Sequence, residues 1–103
     1  MVTTEYNADL DILTVDVENR SPEEYDRSIP IGDYIIDVAD DGTVLGVEVL
    51  NAAQNLPYTK TDLEKITGAE LDKQENGETG TVTVALESEE KTQSFTVGYP
   101  ASA

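Results

Sequence analysis

The 103 residues fit one domain, expected to run over 1–103, and eight Leu, ten Val and six Ile suffice for a modest apolar interior. With neither Cys nor His in the chain, disulfides and the usual zinc sites are excluded. Twenty-two acidic residues against six basic ones give a formal net charge of -16, which argues against nucleic acid and anionic membranes, whose phosphates are held by clustered Lys and Arg.

In chain order, Val2, Thr4 and Tyr6 alternate as in a half-buried strand, and Leu13, Val15 and Val17 repeat the pattern against Thr14, Asp16 and Glu18. Asn7-Ala8-Asp9 turns the chain between them. Polar residues 19–24, with Pro22, read as a loop. Tyr25 to Ile31 reads as a short strand that Pro30 restricts to a sheet edge. Residues 33–50 carry the clearest pattern, because Asp41-Gly42 is a two-residue hairpin signal. That turn sets Asp40 opposite Thr43, Val38 opposite Leu45, Ile36 opposite Val47 and Tyr34 opposite Val49. The six deeper residues then share the buried face, and Ile35, Asp37, Ala39, Val44, Gly46, Glu48 and Leu50 share the other.

Asn51, followed by Gln54, caps a short helical turn that Pro57 stops. Thr61-x-x-Glu64 forms a second capping box for the main helix, near 60–67, with Leu63 and Ile66 on its buried side and Gly68 as its stop. Three strand patterns follow: Ala69 and Leu71; then Val82, Val84 and Leu86; then Gln93, Phe95, Val97 and Tyr99. The expected fold is α+β, a mainly antiparallel sheet of six to eight strands with two short helices. Residues 57–103 contribute a short helix and a C-terminal β-meander.

The acids run from Glu5 to Glu90 interleaved with apolar residues, so they decorate a folded surface and do not form a disordered tail. Such a surface is self-repelling at low ionic strength and screened in molar salt, the expectation for a salt-saturated cytoplasm. The N-terminus lacks the basic and apolar regions of a signal peptide, and no stretch reaches the roughly 20 apolar residues of a membrane span. A cytoplasmic location is expected.

Two stretches carry a family resemblance. Tyr6-Asn7-Ala8-Asp9-Leu10-Asp11-Ile12-Leu13-Thr14-Val15-Asp16-Val17 resembles the opening strand signature of the family called domain of unknown function 2283. The hairpin from Asp33 to Ala53 is similar to that family's hairpin, above all from Gly46 to Ala52. The resemblance spans residues 5–56, a family-like β-hairpin core. It implies antiparallel strands leading into a helix, and it supplies no activity, cofactor or functional residue.

Candidate chemistry is sparse. Counting from Asp37, Asp41, Gly42 and Glu48 fall at the fifth, sixth and twelfth positions of an EF-hand loop, but Ala39 occupies the third, which needs an oxygen ligand. Strand patterns flank the segment in place of helices, so no metal is expected. Asp37 and Glu48 lie on one face, with Asp16 or Glu18 able to join them, as a solvated acidic face or a carboxylate pair. Without His or Cys the usual activated nucleophiles are missing. Gly46, a glycine inside a strand, marks a close approach, by packing against the helix after Asn51 or by a ligand or partner strand. The five tyrosines read as core-edge residues or as a binding surface. No catalytic residue and no cofactor is expected. Asp37, Gly46 and Glu48 form the candidate ligand or partner face. The leading expectation is a non-enzymatic interaction module, with a protein partner or a homodimer through a strand edge. The alternative is small-molecule or cation binding on the Asp37/Glu48 face.

Overall fold

The computed structural model describes residues 2–17 and 25–100. Period-two burial becomes β1 (Val2–Asn7) and β2 (Ile12–Val17), paired antiparallel from Val2 opposite Val17 to Asn7 opposite Ile12. Asn7 Oδ1 accepts the Leu10 N–H at 3.1 Å, the local side-chain bond that makes asparagine a turn former. β3 (Tyr25–Ile31), β4 (Tyr34–Ala39) and β5 (Val44–Val49) complete a five-stranded sheet ordered β1-β2-β5-β4-β3. β3 is an edge strand, as Pro30 requires. β5 sits at the centre, where the pairing of Leu13 with Val49 and Val15 with Val47 brings the two hairpins together.

The β4–β5 hairpin keeps the expected pairing deep in the sheet, Tyr34 with Val49 and Ile36 with Val47, and departs from it near the turn. Gly42 N–H donates to Ala39 O at 3.0 Å and Ala39 N–H to Thr43 O at 2.8 Å. The loop is therefore three residues, Asp40-Asp41-Gly42, and Asp40 does not face Thr43. The reason is conformational. A two-residue turn of this kind needs positive φ at both central residues, whereas here only Gly42 (φ 89) adopts it and Asp41 is spared. Asp41 instead accepts the Thr43 N–H at 2.9 Å. The extra loop residue moves Val38 opposite Val44, not Leu45, and a bulge between Asp37 and Val38 restores the register below. Val44 accordingly joins the apolar cluster, while Leu45, also buried, lies outside it.

The helices form where expected, with different caps. α1 (Ala52–Asn55) follows Asn51, which has φ 51 and makes no side-chain cap bond. Its amide donates to Asp33 Oδ2 at 3.3 Å. α2 (Lys60–Glu64) is capped by Thr59 and Asp62, not by Thr61 and Glu64. Starting the helix at Thr59 places Tyr58 just before the cap and Leu63 at the fourth helical position, the hydrophobic-staple spacing, and both lie in the core. A start at Thr61 would put Lys60 and Lys65 there. Gly68 opens the next strand and does not terminate the helix.

β6 (Gly68–Asn76), β7 (Thr79–Glu87) and β8 (Thr92–Pro100) form the meander, a three-stranded antiparallel sheet. Eight strands among the described residues and two short helices make a mainly antiparallel α+β fold. One apolar cluster joins the sheets: Leu13, Val15, Ile36, Val47 and Val49 from the first, Val82, Val84, Leu86, Val97 and Tyr99 from the second, with Leu56, Tyr58 and Leu63 between. β1 runs beside β6, and Lys73 Nζ ties β6 to the hairpin turn through Gly42 O at 2.6 Å.

Candidate functional site

Register places the expected face on the five-stranded sheet. Asp16 of β2, Gly46 of β5 and Asp37 of β4 align in one row, continued by Ser28 of β3. Glu48 lies in the neighbouring row, between Thr14 and Ile35. Glu18 lies outside the described residues. What covers Gly46 is the Asp16 carboxylate, not the helix after Asn51. A Cβ at residue 46 would collide with that carboxylate and stand 2.9 Å from Val15 O. Asp37 accepts a 2.7 Å hydrogen bond from Ser28 Oγ. Within the row, Asp16 lies over Gly46 and Asp37 is bonded to Ser28.

The calcium-like spacing runs along a strand hairpin, with Asp37 on β4 and Glu48 on β5. Asp41 sits in the hairpin loop, held below its usual carboxylate range by hydrogen bonds from the Thr43 side chain and backbone. Strands β4 and β5 flank it, and no group of three or more acidic side chains among the described residues is arranged to hold a metal ion. A shallow cavity of about 340 Å³ opens beside α2, lined by Asp62, Lys65, Thr67, Ser88, Glu89 and Glu90. Two of its polar groups serve local structure: Asp62 accepts the Thr59 N–H at 3.1 Å, and Ser88 Oγ donates to Lys91 O at 3.2 Å.

Tyr6, Tyr34, Tyr58 and Tyr99 are dispersed and form no common surface. Tyr58 and Tyr99 are buried, with the Tyr99 ring pressed on Gly80, and Tyr34 stacks obliquely on Phe95 with centroids 5.9 Å apart. Tyr6 O–H donates to Asp11 Oδ1 at 2.6 Å, and both Asp11 carboxylate oxygens accept the Ala53 N–H. Burial first, then the Asp11 bond and charge, push the Tyr6 phenol up to about 12. The same hydrogen bond draws the Asp11 carboxyl down against the opposing effect of burial. This cluster locks the β1–β2 turn to α1.

The feature that residue-type reasoning missed is a sheet edge. Among the described residues β8 pairs with β7 alone, and its nine residues, Thr92-Gln93-Ser94-Phe95-Thr96-Val97-Gly98-Tyr99-Pro100, include no charged side chain in a chain that is 27% charged. The other strand edges carry features that commonly protect an edge. β3 carries Asp26, Arg27, Pro30 and a bulge between Tyr25 and Arg27. β6 carries Glu70, Asp72, Lys73 and Glu75 and lies beside β1, the remaining edge strand, which carries Glu5. The orientation of the β8 backbone follows from two bonds. Ser88 N–H donates to Lys91 O at 2.9 Å, so the ladder alternates from a bonded pair at 88/91. Thr83 and Thr96, predicted by that alternation to be a non-bonded pair, touch through their hydroxyls at 2.9 Å, as the closer spacing of such pairs allows. The main-chain groups of Thr92, Ser94, Thr96 and Gly98 therefore point away from β7, and all four residues are exposed. The absence of charge over residues 92–100 was legible in the sequence; that this strand ends its sheet was not.

No family model, curated protein or solved structure matches this chain. No helix among the described residues is long and apolar enough to cross a membrane.

Proposed function

We propose that this chain is a non-enzymatic interaction module of a salt-rich cytoplasm, which binds polypeptide by adding a strand to the β8 edge. One observation carries the reading: a nine-residue exposed edge without charge, in a chain of net charge -16 whose other edges are blunted. Unpaired main-chain donors and acceptors supply affinity in strand addition, and flanking side chains supply selectivity. Residues 5–56, with the motifs that resemble domain of unknown function 2283, act in this reading as the scaffold, and residues 57–103 present the edge. Molar salt screens the acidic surface and leaves the backbone bonds and apolar contacts of the edge in place.

The test compares capture of polypeptides, a second copy of this chain included, by the wild type and by Thr96→Pro in about 2 M potassium chloride. Proline at an outward-facing edge position removes one free N–H and leaves the β7 pairing intact; circular dichroism checks that the fold survives. The reading expects a partner held by the wild type and released by the variant. Equal capture by the two, or capture by neither, defeats it.

A further inference from the structure

We infer that the occupant of the β8 edge is a second copy of the same β8, paired antiparallel about a two-fold axis at Phe95. The inference rests on the strand-addition reading and names its partner. Two copies each carrying -16 repel over most of their surfaces, so close approach is least opposed where both are uncharged. Among the described strands, β8 is the exposed edge with that property.

The backbone then selects the register. The outward groups belong to Thr92, Ser94, Thr96 and Gly98, and a two-fold symmetric antiparallel pairing must match this set to itself. Centred on Phe95, Thr92 meets Gly98 of the second copy and Ser94 meets Thr96, so every outward residue gains a partner and each facing pair exchanges two bonds. A centre at Ser94 or at Thr96 leaves outward groups unmatched, and a centre at Thr96 sets Thr92 opposite Pro100, which has no N–H to give. With the axis at Phe95, the two Phe95 rings face each other across a close non-bonded pair, on the side of the sheet that carries Val97 and Tyr99. Phe95 is half-buried against Tyr34 and has ring surface left to cover. On the opposite face Thr92, Ser94, Thr96 and Gly98 are small, so no bulky group hinders the continuous sheet formed by two three-stranded halves.

Cysteine scanning reads this register directly, because the chain has no native thiol. Ser94→Cys, Phe95→Cys and Thr96→Cys are compared for disulfide-linked dimer in about 2 M potassium chloride, alongside sedimentation of the wild type and Thr96→Pro. We expect a wild-type dimer whose association weakens by about tenfold or more in Thr96→Pro, with crosslinking fastest at residue 95. Since Phe95→Cys removes a ring, the wild-type sedimentation stands as an independent measure. Fastest crosslinking at 94 or 96 overturns the Phe95 axis. A monomeric wild type that still captures another polypeptide, and loses it on Thr96→Pro, overturns the second copy as occupant and keeps the strand-addition reading. A monomer that captures nothing overturns both.

Discussion

Lysine is scarce in this chain, and three of its four lysines donate to backbone carbonyls of connecting segments. Lys60 reaches Ala8 O at 3.3 Å, Lys73 reaches Gly42 O at 2.6 Å, and Lys91 reaches Pro57 O at 3.5 Å while lying over the Tyr58 ring. The short Lys73 bond also neighbours Glu75 at 3.0 Å. Lys73→Met should cost about 1–2 kcal/mol, the range for a partly buried hydrogen bond to a charged group, read as a lowered urea midpoint. The Tyr6–Asp11 pair makes a prediction with two pH limbs. Asp11 has a folded-state pKa below its ordinary 3.8, so its contribution is complete above that pH and is lost as pH falls through the folded value. Tyr6 has a raised pKa, so its contribution is complete below 10 and is lost as pH rises from there to about 12. Tyr6→Phe should cost about 1 kcal/mol at neutral pH and flatten the alkaline limb; Asp11→Asn should flatten the acid one. Unfolding midpoints across pH that leave both limbs unchanged would reject the assignment. At this scale the sequence pointed to Gly46 as a close approach, because a strand glycine is costly without a reason. It could not say that Asp16 is what approaches, since that depends on β2 pairing with β5 across the 26 residues between them.

Elements were the most legible level, because period-two alternation survives whichever strands pair. Each strand pattern recognised along the chain became a strand, and Pro30 correctly marked an edge. Turn and cap details were less legible, since each depends on a choice between near-equivalent local solutions. The hairpin chose a loop that needs positive φ only at Gly42 and corrected its register with a bulge. Gly42→Ala should therefore cost about 1 kcal/mol through backbone strain, whereas Asp41→Ala loses only its exposed bonds to Thr43. The second helix uses Thr59-x-x-Asp62 in place of the expected Thr61-x-x-Glu64, and burial of Tyr58 with Leu63 selects it. Thr59→Ala should cost about 1 kcal/mol and Thr61→Ala far less; denaturant midpoints of the two variants distinguish the boxes, and the reverse order contradicts the structure.

For the whole molecule the governing quantity is charge. The domain measures 36 × 25 × 23 Å, so at 0.01 M salt, with a Debye length of about 30 Å, nearly every carboxylate senses many others. Stability of a domain is on the order of 5–15 kcal/mol, and repulsion of a few kcal/mol shifts it measurably. The unfolding midpoint is expected to rise between about 0.05 M and 2 M potassium chloride, with scattered Asp→Asn changes each lowering the salt requirement slightly. A midpoint independent of salt contradicts that expectation. Association follows the same logic, since screening removes the repulsion that keeps two β8 edges apart. The most direct measurement of the central claim is residue-resolved amide exchange in about 2 M potassium chloride at low and high protein concentration. The account predicts that the outward amides of Thr92, Ser94, Thr96 and Gly98 exchange freely when dilute and become protected as concentration rises, while outward amides of β3 stay unprotected throughout. Free exchange of those four amides at every concentration contradicts it.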